Sequence, residues 1–252
     1  MKQPFWKSDW FVGITISVVF LVLWLGGNAV LGGIERDAYD LGVRLSSEDP
    51  GDKISVIAID DKSIQNIGRW PWSRETHAGM IDKLTAGGAK TIGNTIFYSE
   101  PQVDAGLIWI RRLRSQLANM PLGVKDAQQI TETLATAELE LNTDGILAKS
   151  LTAAGNTVLA MQFVPGEPIG NPDADLPDHV TKFTIPEANV NDPTDLSPLP
   201  WQMIAAVPPI ATLGGPARAI GHLLTPLDVD GGIRSEPLIV SYYDQFFPSQ
   251  SL

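Results

Sequence analysis

No cysteine occurs in the 252 residues, which excludes disulfides, thiolate nucleophiles and cysteine-ligated zinc while fitting an oxidising or a reducing compartment equally. Histidine is nearly as scarce. His77, His179 and His222 are the whole supply, and none stands at the spacing of a metal-binding helix such as HExxH. Each reads as a structural or surface histidine, and no metal site is expected. The GxxxxGK[ST] phosphate loop, a GxGxxG turn after a strand and the GxSxG elbow are all missing. No cofactor and no catalytic set is therefore expected. Positive charge is also short, with 18 Lys and Arg against 29 Asp and Glu for a net charge of -11. An acidic surface repels phosphate backbones, and no basic cluster with interleaved aromatics overrides it, so nucleic acid is excluded as a partner.

What the chain does have is one long uncharged stretch, WFVGITISVVFLVLWLGGNAVLGGI, from Trp10 to Ile34. At helical rise it would span about 37 Å, against about 30 Å of bilayer hydrocarbon. It is longer than the apolar core of a signal peptide and no A-x-A cleavage site follows. The expectation is a transmembrane helix over 10–34, a short cytoplasmic N-terminus over 1–9 carrying Lys2 and Lys7, and an extracytoplasmic domain over 35–252. The location expected is the bacterial inner membrane, single-pass and membrane-embedded, with the main domain periplasmic. Gly26, Gly27, Gly32 and Gly33 would permit close helix approach, so a homodimer is open.

The remainder alternates between two periods. ERDAYDLGVRL continues at helical spacing as a stalk. KISVIAIDD, Lys53 to Asp61, is a β-branched run of the kind buried on both faces of a parallel sheet. A helix over Ser73 to Leu84, a Gly87-Gly88 stop and a strand over Thr91 to Phe97 complete an expected βαβ unit. Helical patterns at Val103 to Met120 and Val124 to Leu141 follow, then Gly145 to Ala154 and a strand at Asn156 to Phe163. Eleven of the nineteen prolines fall between Pro165 and Pro216, which predicts a Pro-rich irregular loop over 164–215. Order returns at Ala217 to Leu224, in a turn at Asp228 to Gly232, and in a strand at Pro237 to Tyr243, read as a closing hairpin. The fold class expected is α/β, an N-terminal transmembrane helix followed by a mainly parallel sheet. The chain stops at PSQSL without a closing element, so truncation at the C-terminus is expected.

Candidate site residues are few. Asp60 and Asp61 end the expected strand, where open α/β sheets place ligands and paired carboxylates could hold a hard cation; capping of the turn into Lys62 to Ile67 is the preferred alternative. Asp228-Val-Asp230-Gly231 resembles the start of a calcium loop, but Gly232 and Ile239 stand where oxygen ligands are needed, so an Asx-type turn is preferred. In Arg69-Trp70-Pro71-Trp72-Ser73-Arg74, two indoles around a proline with flanking guanidiniums could form a ligand lip or a packed loop. The candidate ligand-binding set is Asp60, Asp61, Arg69, Trp70, Trp72 and Arg74, with an unidentified small ligand or an envelope protein as partner.

Several segments occur together in order: ERDAYDLGVR, VIAIDDKSIQNIGRWPWSRETHAGMIDKLTAGGAKTIGNTIFYSEPQ, DGILAKSLTAAGNTVLA and GHLLTPLDVDGGIRSEPL. In these the chain resembles the type-two CHASE domain, a sensory extracellular module of bacterial cyclases, histidine kinases and serine/threonine kinases. The resemblance covers most of residues 35 to 252. It implies a non-catalytic sensor controlling a cytoplasmic output domain absent from this chain, a serine/threonine kinase slightly ahead of a nucleotide cyclase. Asn94 departs from the pattern, since many members carry aspartate at that strand end, and this weakens any shared cation site. Two rival readings are a membrane-anchored, metal-dependent periplasmic hydrolase using Asp60 and Asp61, and a structural envelope module docking through its Pro-rich loop.

Overall fold

The computed structural model describes residues 8–25, 28–46, 51–118, 124–172, 175–186 and 200–252. The chain divides into two compact units, Met1–Asp61 and Lys62–Leu252.

In the first unit, α1 (Asp9–Leu25) and α2 (Asn28–Leu45) share the apolar stretch between them. This overturns the transmembrane helix expected over 10–34. Among the described residues no helix is long and apolar enough to cross a membrane. The 17 residues of α1 reach only about 26 Å at helical rise. In α2 the apolar start gives way to Glu35, Arg36 and Asp37, an amphipathic pattern rather than a hydrophobic one. Gly26 and Gly27, between the two, lie outside the described residues.

The run Lys53 to Asp61 forms no strand. Residues 54–60 take no regular structure, and Asp61 opens the short helix α3 (Asp61–Ile67). Ile54 is 71% exposed and Val56 89% exposed. The β-branched composition expressed a preference for a pleated, buried surface, and without a ladder that preference has no effect.

The second unit begins with α4 (Arg74–Ala86) and β1 (Ile92–Phe97), both close to expectation. α5 (Ala105–Leu117), α6 (Val124–Leu141) and α7 (Thr143–Ala154) follow, then β2 (Thr157–Pro165). Asp104 and Asn142 start α5 and α7 by accepting from the backbone N–H of Gly106 and Gly145, the local reason those helices begin where they do. Gly155, with φ at 64°, ends α7 in the left-handed region. The Pro-rich stretch is more ordered than expected: α8 (Asp178–Thr181), β3 (Trp201–Val207) and α9 (Ala211–Gly214) lie in it, while residues 173–174 and 187–199 are outside the described set. β4 (Ala219–His222), β5 (Ile239–Tyr242) and β6 (Gln245–Pro248) complete the unit.

The sheet is mixed: among the described residues three strand pairings are parallel and two are antiparallel. β2 is shared: it pairs in parallel with β1 on one side and β4 on the other, and its C-terminal part pairs antiparallel with β3. β3 then pairs in parallel with β5, and β5 antiparallel with β6. The hairpin expected from the Asp228 turn forms instead between β5 and β6, since Tyr243 adopts φ 51° and the ladder closes at Tyr242 and Gln245. The core packs α4 and α7 on the strands through Ile81, Leu147, Leu151, Leu159, Met161 and Ile220. Burying each such side chain contributes about 1.5–3 kcal/mol, before the chain entropy that opposes it.

The last residues are tied into the sheet. Gln250 Nε2 donates to the carbonyls of Asn94 in β1 and Val158 in β2, at 2.9 and 3.0 Å. Gly221 allows this approach, because a Cβ there would sit 2.7 Å from the backbone of Gln250.

Candidate functional site

Within the second unit, the motif Arg69-Trp70-Pro71-Trp72-Ser73-Arg74 leads from α3 into α4. The chain turns at Gly68, whose φ of 122° suits glycine and whose N–H donates to the Ile64 carbonyl at 2.9 Å. The Trp70–Pro71 peptide is cis. Trp72 folds back on the turn, its Nε1 donating to the Gly68 carbonyl at 2.7 Å.

This brings four rings into one cluster. Trp70 and Trp72 meet edge to face with centroids 5.4 Å apart, and Trp70 meets His77 at 5.6 Å in the same manner. His77 continues the stack to Tyr98 at 6.0 Å. Such pairs add about 0.5–1.5 kcal/mol each beyond simple burial. His77 is buried, and that burial, with the Arg74 guanidinium beside it, holds its pKa below the usual histidine value. Burial pushes the Tyr98 phenol upward; the hydrogen bond from Asn94 Nδ2 at 3.0 Å and the charge of Arg74 oppose it.

Arg74 is the centre of the polar part. Its guanidinium lies 4.4 Å from the centroid of Tyr98, donates to the Glu100 carbonyl at 3.0 Å, and meets Asp144 Oδ1 at 3.3 Å. Gln102 closes the network: its Oε1 accepts from Arg74 N–H and from the Thr143 hydroxyl, and its N–H donates to Asp144 Oδ2. One side chain thus links α4, the segment after β1 and the first turn of α7.

The sequence-chosen residues separate on this geometry. Trp70, Trp72 and Arg74 are brought together. Arg69 is exposed and outside the ring stack. Asp60 and Asp61 are exposed at the end of the first unit, and the strand end that was to present them is not formed. His77, Tyr98, Gln102 and Asp144 were not singled out as ligand-site residues. Asp144 stands 70 positions from its partner, so no local spacing signals the pair; the only trace was the conjunction of segments in one ordered pattern.

Among the described residues no group of three or more His, Asp or Glu could hold a metal ion. Asp228 and Asp230 are occupied by Arg234, whose guanidinium reaches Asp228 Oδ2 at 3.0 Å and Asp230 Oδ1 at 2.8 Å. A guanidinium of this turn stands where a cation would have to sit.

A model described as the CHASE2 domain matches residues 14–252. No curated protein and no solved structure matches the chain.

Proposed function

The chain belongs to the CHASE2 domain family, a family of sensory domains, and on that premise we propose that it is the extracytoplasmic input region of a signal-transduction receptor. Its output is a serine/threonine kinase or a nucleotide cyclase lying beyond these residues, the kinase favoured by the flavour of the N-terminal motifs. The stimulus is a small ligand or an envelope protein. The observation that carries the reading is the extent of the family match, which takes in nearly the whole chain.

The Trp70–Trp72 cluster is the preferred place for a stimulus to act. Its indoles are half-buried, so a partner can still touch them. Their position beside Arg74 places any displacement against a network that joins three segments of the fold. A packed network of this kind has few intermediate arrangements.

The test is output from the full-length protein in cells, with Trp70→Ala and Asp144→Asn compared with wild type. A change in basal or stimulated kinase or cyclase activity supports the reading. Unchanged output in both variants, with both still folded, overturns it.

A further inference from the structure

We propose that a groove between the end of β2 and the start of β3 binds a neutral saccharide. The groove has a volume of about 550 Å³ and is lined by Gly166, Glu167, Pro168, Trp201 and Gln202, a size suited to a small organic ligand. Its two walls are held to each other: Gly166 N–H donates to the Gln202 carbonyl at 3.0 Å, just past the point where the β2–β3 register slips at Pro165. Trp201 is itself fixed by pairing with Val240 of β5. The site is therefore built on strands that do not need to reorganise to receive a ligand.

The lining chooses the class. Trp201 is 48% exposed, and among the described residues no aromatic ring stacks on it. An indole face carries negative quadrupole density, which suits the C–H face of a pyranose. Glu167 offers a carboxylate that accepts from vicinal hydroxyls, and Gln202 both donates and accepts. At Gly166 a Cβ would fall 2.9 Å from Ile204 Cδ1, so the floor there stays bare backbone. Among the described residues one carboxylate and no cation line the groove, which disfavours phosphorylated or carboxylated sugars. A quaternary ammonium would want more than one aromatic wall. Because the groove is open, an oligosaccharide can pass across it rather than being enclosed.

The inference goes beyond the sensory reading, because binding is read directly and its failure leaves that reading standing. The experiment is saturation-transfer NMR on the intact chain with cellotriose and with chitotriose, in wild type, Trp201→Ala, Glu167→Gln and Trp109→Ala. The expected result is saturable transfer to the ring protons of at least one trisaccharide, weakened about tenfold or more by Trp201→Ala, weakened less by Glu167→Gln, and unchanged by Trp109→Ala. Glu167 is exposed, so its variant tests the groove even where Trp201→Ala perturbs the strand. No saturable transfer from either sugar, affinity unchanged in both groove variants, or competition by tetramethylammonium alone would overturn it.

Discussion

Asp144 and Arg74 form an ion pair with their side chains only 10% and 13% exposed, and each carboxylate oxygen of Asp144 has a donor of its own, Arg74 Nε and Gln102 N–H. Removing one partner strands the other. Asp144→Ala is expected to cost about 3 kcal/mol, read as a lower urea midpoint. The double variant Arg74→Met, Asp144→Leu should recover part of that loss, because no charge is left unpaired. A cycle in which the two single losses simply add would show that the pair is not coupled.

Acid should weaken the domain before its carboxylates titrate. The pKa of His77 is lowered by burial and by Arg74, and that of His222 by burial, with Glu236 opposing it. Their folded values lie below the unfolded value near 6.5, so as pH falls through about 6.5 the unfolded chain takes up protons first and stability is lost. At higher pH neither group contributes a slope. Urea midpoints from pH 7.5 down to pH 5 should fall, and His77→Phe should flatten the fall; identical slopes in wild type and variant would remove His77 as a cause.

The C-terminal tie is open to direct test. Gly221→Ala places a methyl against the Gln250 backbone, with no flexible side-chain tip to yield, and should cost about 1–3 kcal/mol. Gln250→Ala deletes two hydrogen bonds and should cost about 1–2 kcal/mol. Hydrogen exchange would show both variants loosening the amides of β1 and β2; loss confined to residues after Pro248 would count against the link.

At the Asp228 turn, Arg234→Gln should lower the thermal midpoint through loss of a clamp worth about 1 kcal/mol. Wild type should show no midpoint shift in millimolar calcium. A calcium-dependent rise in wild type would mean that the guanidinium yields its place.

Legibility in the sequence followed the range of the interaction. Helices α4 to α7 and strands β1, β2 and β5 were readable because each announces itself locally, through helical periodicity, a stop such as Gly87-Gly88, or a β-branched run; the caps Asp104 and Asn142 and the left-handed Gly155 came to light only in the structure. The Trp70, Trp72 and Arg74 grouping was visible as an unusual cluster, yet its completion by His77, Tyr98 and Asp144 depends on tertiary packing and left no spacing. Lys53 to Asp61 misled for the opposite reason: its composition is that of a strand, and composition states a preference without supplying a partner. The run from Trp10 to Ile34 likewise counts as one apolar stretch by residue type, while the helices divide it between α1 and α2. β3 was hidden by the prolines around it, although Met203 within it is fully buried.

Gln250 gives the unit a mechanical property. A single amide nitrogen grips adjacent parallel strands, so tension on the final residues loads β1 and β2 together, as a rivet loads two plates. Pulling there works against the registration of the pair instead of peeling one strand away, and slack introduced at that one side chain would be felt on both.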